Sequence, residues 1–289
     1  VTMQQILGRA REVLARNNIE EAQLEGEILL RHALKIDRAR LYCELDRELS
    51  DEQEDRFWHL VQRRLSGEPT AYIAGHREFY GLDFYIDRRV LIPRPETELL
   101  VEKALEVART RTMDTVADVG TGCGAIAVSL ALNLAHIKIC ASDISADALE
   151  VARINCQKHG VVDRIQLLRG DMLEPLPEPV DLIVANLPYV AKQEISRAGL
   201  ADFEPRAALD GGRDGLDKIR RLCQQAVDKL RPQGVILLEI GQGQGGPVTR
   251  LMQRCFPSAS VEVMPDLRGI ERVISLCLTP SQSGAKLTL

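Results

Sequence analysis

The chain has no Cys-x-x-Cys spacing, and its seven cysteines, at positions 43, 123, 140, 156, 223, 255 and 277, are odd in number and scattered. Neither a disulfide framework nor a cysteine-based zinc module is therefore indicated, and a reducing cytoplasm is the compartment that fits. His32, His59, His76, His136 and His159 show no ligand spacing, so no metal site is expected. No uninterrupted apolar stretch approaches the roughly 20 residues of a membrane helix, and no basic-then-apolar leader opens the chain, so neither a span nor a signal peptide is expected. A surplus of positive charge is missing as well. The formal net charge of -5 argues against broad binding to a phosphate backbone, and the isolated pairs Arg63-Arg64 and Arg88-Arg89 read as solvated faces. Aromatics are scarce, at 4%, and Trp58 is the single tryptophan.

What is present is length and apolar content. With 289 residues and 45% hydrophobic side chains, the chain supports a full core and predicts two unequal domains. Residues 1–75 read as a small helical bundle, because Ile6, Val13 and Leu14, then Leu24, Ile28 and Leu29, recur at helical spacing. Ser50-Asp51-Glu52-Gln53 is a capping-box pattern that opens a helix carrying Phe57, Trp58, Leu60, Val61 and Leu65, stopped by Gly67. At 76–93 the period changes. Phe79-Tyr80-Gly81, then Phe84, Ile86, Val90 and Leu91, predict a hairpin linker around a glycine turn. Pro93-Arg94-Pro95 starts a helix at about Glu96, with Leu99, Leu100 and Ala104 on its buried face.

Residues 94–280 alternate short apolar runs with helical patterns. The runs are Val116 to Val119, Ile137 to Ala141, Ile165 to Leu168, Leu182 to Ala185, Val235 to Ile240, Ser260 to Met264 and Glu271 to Cys277. Such alternation predicts an α/β fold with a doubly wound, mostly parallel seven-stranded sheet. The last two runs are joined by a short turn without a helix and should pair antiparallel at one edge. Residues 281–289 read as a tail.

Two places on this sheet carry chemistry. Asp118-Val119-Gly120-Thr121-Gly122-Cys123-Gly124 follows the first strand and opens a helix, bringing backbone and helix dipole to a ligand. Gly120, Gly122 and Ala125 also fit a dinucleotide fingerprint, so the loop alone does not identify its cofactor. Asp143, past the second strand, is placed to accept two ribose hydroxyls or, alternatively, to cap the helix before Ser145. Gly170-Asp171-Met172 follows the third strand, where an acid and a side chain suit an adenine amino group and ring face. The motif order favours S-adenosyl-L-methionine over a nicotinamide cofactor, since no His or Tyr-Lys pair suggests hydride transfer.

Asn186-Leu187-Pro188-Tyr189 ends the fourth run. A side-chain amide, a rigid turn and an aromatic ring offer acceptors for a planar NH2 group and a flat surface to stack on it. The plainer reading is a strand exit in which Asn and Pro make the turn.

Together with Leu91 to Glu98 and the block Glu204 to Leu216, these segments make the chain resemble the release-factor glutamine methyltransferases. The resemblance covers nearly the whole chain. It implies a Rossmann-like methyltransferase sheet with an antiparallel edge strand, a helical amino-terminal domain that recognises substrate, and a linking β-hairpin. It further implies methyl transfer from S-adenosyl-L-methionine to the side-chain amide of the glutamine in the Gly-Gly-Gln motif of peptide chain release factors. Asn186, Leu187, Pro188 and Tyr189 are then the catalytic segment. Gly120, Thr121, Gly122, Cys123, Gly124, Asp143, Asp171, Met172 and Asn186 bind the cofactor. One position departs from the family: Leu187 stands where proline is usual, a form shared with ribosomal RNA adenine dimethyltransferases. Arg94, Glu96 and Glu98 order a lid or cap their helix, with helix-dipole capping favoured for Glu98. The alternatives are a ribosomal-protein glutamine methyltransferase, a nucleic-acid adenine N6-methyltransferase, or a noncatalytic cofactor-binding partner of the translation apparatus.

Overall fold

A computed structural model describes residues 1–198 and 203–278, with the backbone alone for 196–198. The tail expected at 281–289 lies outside the described residues. The chain divides into two compact units, Val1–His76 and Arg77–Leu289.

The first unit contains α1 (Met3–Arg16), α2 (Ala22–Leu34), α3 (Arg38–Cys43), α4 (Asp51–Leu65) and α5 (Thr70–Ala74). Helix α4 begins with the capping box that its sequence spells: the Ser50 hydroxyl accepts from the Gln53 N–H, and the Gln53 side chain accepts from the Ser50 N–H. Thr2 and Gln5 do the same for α1, a box the sequence reading had not singled out. The apolar faces of the helices meet in a core of Met3, Ile6, Leu14, Leu29, Leu30, Leu41, Phe57 and Val61. The Phe57 ring is fully buried and lies 5.5 Å from the half-buried Trp58, so this aromatic pair is packing.

At the boundary between the units begins a hairpin of β1 (His76–Phe79) and β2 (Leu82–Tyr85). Tyr80 and Gly81 both have positive φ, +53° and +70°, as a type I′ turn requires. Helix α6 (Glu98–Thr110) starts two residues later than the sequence suggests, because Pro95–Thr97 forms a 3₁₀ turn first. Its first residue is not only a dipole partner: the Glu98 carboxylate accepts the N–H of Tyr80 at 2.9 Å and fixes the hairpin turn.

The sheet then builds through β3 (Thr115–Val119), α7 (Ala125–Asn133), β4 (Lys138–Asp143), α8 (Ala146–Lys158), β5 (Ile165–Arg169) and β6 (Val180–Ala185). After α9 (Lys192–Ala198) come α10 (Asp217–Lys229), β7 (Leu230–Glu239), α11 (Gly245–Cys255), β8 (Ser260–Pro265) and β9 (Glu271–Cys277). Strand order is β5-β4-β3-β6-β7-β9-β8. The pairs β5/β4, β4/β3, β3/β6 and β6/β7 are parallel, while β9 runs antiparallel to both β7 and β8. The antiparallel pairing sits at the sheet edge as expected, with the reversed strand β9 one place in from the edge strand β8.

Two details differ from the sequence reading. No helix separates β5 from β6, and the crossover runs through turns over 170–179. Strand β7 starts at Leu230 instead of Val235, because the register shifts between the Val180 and Leu182 pairings and 231–234 lie opposite the single residue Asp181. Right-handed crossovers put α7 and α8 on one face and α10 on the other. On the α10 face Ile183, Ile236 and Leu238 pack against Ile219, Leu222, Ala226, Val248 and Met252. Winding reverses between β3 and β6, which opens a crevice outside their carboxyl ends. Among the described residues no helix is long and apolar enough to cross a membrane.

One buried side chain braces the crevice from behind. Asn155 on α8 is fully buried; its Oδ1 accepts the Tyr85 N–H at 2.7 Å, and its Nδ2 donates to the carbonyls of Tyr85 (3.0 Å) and Cys123 (2.8 Å). It thus ties the hairpin to the turn after β3. Replacing Asn155 by Ala strands these three backbone groups, and urea unfolding should register a loss of about 3 kcal/mol.

Candidate active site

The turn after β3 is shaped by glycine. Gly120, Gly122 and Gly124 have φ of +74°, +56° and +83°, values that side chains rarely tolerate. A Cβ at Gly124 would approach Ala152 at 3.3 Å and one at Gly120 would approach the Leu187 side chain at 3.2 Å, whereas a Cβ at Gly122 would stand in open space. The N–H groups of Gly120 and Thr121 both donate to the Ser142 carbonyl, at 2.9 and 3.0 Å. Asp143 stiffens the same turn: Oδ2 accepts the Gly122 N–H and Oδ1 accepts the Ser145 N–H, each at 2.9 Å. The cap of α8 is Ser145, whose hydroxyl accepts the Ala148 N–H, so Asp143 is not the helix cap. A carboxylate has about four acceptor sites, so roughly two of those on Asp143 remain for a ligand.

Beneath the turn lies Asp118, fully buried. Its Oδ2 accepts the Thr121 hydroxyl at 2.6 Å and the Ala127 N–H at 3.1 Å, and Oδ1 has no partner. Burial drives its carboxyl up to about 7, the two donors pull against that rise, and the Asp143 charge adds to it.

A cavity of about 1010 Å³ opens at the switch point. Its lining includes Gly120, Gly122, Asp143, Asp171, Met172, Asn186, Leu187 and Pro188. Of the residues expected to bind cofactor, Thr121, Cys123 and Gly124 do not line it. The Thr121 hydroxyl is spent on Asp118, Cys123 is buried with its thiol pushed up to about 12 by desolvation, and Gly124 packs against α8. These three build the turn, while Gly120 and Gly122 face the cavity. Asp171 faces the cavity while ion-paired to Arg221, and Met172 holds a positive φ of +55°.

The tetrapeptide leaves β6 against the turn. Leu187 is buried against Gly120, so the residue that departs from the family pattern fills a core position. Asn186 Nδ2 donates to the Thr97 hydroxyl at 3.0 Å, and that hydroxyl donates to Glu239 Oε2 at 2.6 Å. Tyr189 does not line the cavity. Its phenol donates to Glu239 Oε1 at 3.3 Å, and its ring occupies the space where a side chain at Gly241 would stand. Burial pushes that phenol up to about 12, with the neighbouring Glu239 charge acting in the same direction.

The block Glu204 to Leu216 supports this segment from below. Val190 and Asp210 form a parallel bridge, Gly211 N–H donates to the Val190 carbonyl at 2.9 Å, and Lys192 N–H donates to that of Gly212 at 2.9 Å. A Cβ at Gly211 would come within 2.8 Å of the Pro188 carbonyl and the Tyr189 Cα, which explains why glycine stands there. Gln244 Nε2 holds the Tyr189 carbonyl at 3.0 Å. Buried Glu204 accepts the Ile92 N–H at 3.1 Å and pairs with Arg94, anchoring the Pro-Arg-Pro segment that delivers Thr97. Sequence reasoning assigned no role to Thr97, Glu239 or Gln244. The one available signal was an acid, Glu239, embedded in the apolar run Val235 to Ile240.

S-adenosylmethionine fits this donor set. The open space above Gly122 admits close approach, the free acceptor sites of Asp143 suit a ribose diol, and Asp171 with Met172 suits an adenine edge and face. A seven-stranded sheet with a reversed strand beside its edge, a glycine turn after the first strand and an amide-bearing exit from the fourth define a Rossmann-like methyltransferase. Residues 5–75 match the PrmC N-terminal domain, and residues 95–208 match the Methyltransferase small domain. The release factor glutamine methyltransferase of Moorella thermoacetica is 44% identical over 276 residues, 94% of this chain and 97% of that protein. That of Koribacter versatilis is 39% identical, over 95% of this chain and 98% of its own length. The chain belongs to the release factor glutamine methyltransferase family. At the level of fold alone, a methyltransferase from Pyrococcus furiosus superposes with a TM-score of 0.51 at 17% identity, covering 75% of this chain and 96% of that one.

Asp143→Ala should weaken cofactor affinity about 10- to 100-fold, the scale of two lost charge-assisted hydrogen bonds, as read by calorimetric titration with S-adenosylmethionine. For Asp118 the effect is on stability against pH. Between the ordinary value of 3.8 and its folded value of about 7, the folded chain holds a proton that the unfolded chain has released. This group's contribution to stability therefore falls as pH rises through that window. Cofactor-free Asp118→Asn should lack that decline when unfolding free energies are compared across the same range.

Proposed function

We propose that the protein transfers a methyl group from S-adenosylmethionine to the side-chain amide nitrogen of the glutamine in the Gly-Gly-Gln motif of peptide chain release factors. The reading rests most on one observation: the Asn186 amide lines the cavity with its NH2 already committed to Thr97, which leaves Oδ1 as the acceptor. An acceptor at that place suits a substrate that is itself an NH2 donor.

The amide nitrogen of glutamine is a weak nucleophile, because its lone pair is delocalised into the carbonyl. Positioning must therefore supply most of the acceleration. Asn186 Oδ1 takes one N–H of the substrate, and the carbonyl of Leu187 or Pro188 takes the other; neither carbonyl accepts a backbone N–H among the described residues. Holding the nitrogen in line with the methyl contributes up to ~7–11 kcal/mol, and the fixed carbonyl dipoles stabilise the positive charge that develops on nitrogen. When bound, S-adenosylmethionine supplies a sulfonium-activated methyl group, and Gly120, Gly122, Asp143, Asp171 and Met172 are the residues that hold it. The alkylated nitrogen is strongly acidic, so water or a carbonyl-bound relay removes its proton and no dedicated base is required. Tyr189 acts by holding the turn from its outer side instead of stacking on the substrate amide.

Residues 1–75 supply the recognition surface, since a Gly-Gly-Gln loop alone offers too little area for selectivity. The hairpin linker is assigned to 76–93 and the methyltransferase domain to 94–280. The reaction takes place in the cytoplasm, and neither stable nucleic-acid binding nor membrane association is part of it.

With methyl-labelled S-adenosylmethionine, label should enter an intact bacterial release factor and not its Gly-Gly-Gln glutamine-to-alanine variant. Label on ribosomal proteins or protein-free ribosomal RNA instead would replace the substrate assignment. Asn186→Ala should lower turnover by about 10²–10³ while cofactor affinity holds. Unchanged turnover in that variant refutes the role of Asn186.

A further inference from the structure

The amide of Asn186 is useful only in one of its two orientations. Its oxygen accepts an N–H of the substrate; the flipped amide presents NH2 to NH2 and repels it. Something must therefore set the flip, and the hydrogen bonds behind the cavity do so by direction.

A hydroxyl has one proton. Thr97 gives its proton to Glu239 Oε2 at 2.6 Å, so toward Asn186 it offers a lone pair and takes a proton from Nδ2 at 3.0 Å. The second carboxylate oxygen of Glu239 accepts the Tyr189 phenol at 3.3 Å. Glu239 is 2% exposed. One buried carboxylate at the end of β7 thus receives donors from both ends of the tetrapeptide, directly at Tyr189 and through Thr97 at Asn186. Such an acceptor is costly to bury unless donors satisfy it, and among the described residues these two donors do so.

We infer that Glu239 and Thr97 form a positioning relay in which the ionised carboxylate fixes the Thr97 hydroxyl, and through it the amide orientation of Asn186, so that Oδ1 faces the substrate glutamine. The inference deepens the proposed glutamine methyl transfer and rests on it. It assigns the relay no contact with substrate or cofactor. Thr97 reaches this position because Glu204 holds the Ile92 N–H and Arg94, fixing the segment just before the 3₁₀ turn.

The relay has a polarity that protonation reverses. A neutral Glu239 carboxyl donates to Thr97, Thr97 then donates to Asn186 Oδ1, and the amide turns its NH2 toward the substrate. Burial raises the Glu239 carboxyl above the ordinary glutamate value, against the Thr97 and Tyr189 donors. The charged groups facing it are Arg272 on β9, which favours the ionised form, and Glu96 in the 3₁₀ turn, which opposes it. Arg94, facing Tyr189, completes the set. Turnover is therefore full above the raised value and is lost as pH falls through it.

The test uses the full chain with a bacterial release factor and four readouts: kcat, KM, cofactor affinity and melting temperature. Thr97→Val and Glu239→Ala should each lower kcat about 100-fold, the scale of a misaligned reacting group, with cofactor affinity unchanged. Thr97→Ser, which keeps the hydroxyl, should recover most of that turnover. In Glu239→Gln the acid limb of the pH–kcat profile should disappear. Wild-type kcat in Thr97→Val and Glu239→Ala overturns the relay. So does an acid limb in Glu239→Gln that coincides with the wild-type limb. A further readout needs no substrate: the Asn186 side-chain NH2 should be protected from hydrogen exchange in the wild type and exposed in Thr97→Val. Absence of that protection in the wild type sinks the relay even if a variant fails to fold. Protection without release-factor methylation keeps the relay and sinks the glutamine reading.

Discussion

The reversal of winding between β3 and β6 is the constraint from which the site follows. Parallel strands direct their carboxyl ends to one side, and where successive crossovers leave in opposite directions no helix covers the gap between the strand ends. Here the gap brings together the glycine turn at 120–124 and the exit at 186–189, which lie far apart in sequence. Leu187 packs against Gly120, so the cofactor turn and the amide-bearing exit share a contact as well as a crevice. The paired register of Val119 with Ala185 fixes how far each loop extends. A slip of one residue would turn each β6 side chain to the opposite face of the sheet and take Asn186 out of the cavity.

Around that crevice the chain buries several polar groups. Asp118, Asn155, Glu204 and Glu239 are all nearly inaccessible. Each is met by at least two donors or a pair of backbone groups, which offsets a desolvation cost of several kcal/mol per charge. The return is orientational. Apolar packing holds a strand in place, but it does not choose which end of an amide faces a ligand; hydrogen bonds carry a direction and do. Buried acids behind a positioning residue serve a reaction that needs alignment more than it needs a strong base.

Much of this is legible in the amino-acid sequence. The capping box at Ser50, the hairpin around Tyr80-Gly81 and all seven sheet strands carry local signals, either a cap, a turn pair or an apolar run. Gly120, Gly122, Asp143, Asp171, Met172, Asn186, Leu187 and Pro188 were read from loop position after strands, and all line one cavity. Thr121, Cys123 and Gly124 read as ligands by their place in the motif yet do not line it, since the Thr121 hydroxyl bonds to buried Asp118, Cys123 is buried and Gly124 packs against Ala152. Tyr189, expected to stack on the substrate amide, has its phenol on Glu239 and its ring beside Gly241, partners about fifty residues away.

Local sequence determined the elements, their order and the loops that bear chemistry, since caps, turns and periodicity act within a few residues. It also determined family membership, because the motif blocks recur in fixed order along nearly the whole chain. Tertiary structure decided which polar groups meet. Nothing near Thr97 in sequence announces that its hydroxyl will lie between Asn186 and Glu239, 89 and 142 residues away. Direction in a hydrogen-bond chain depends on every member at once, so it exists only after the sheet has brought those members together.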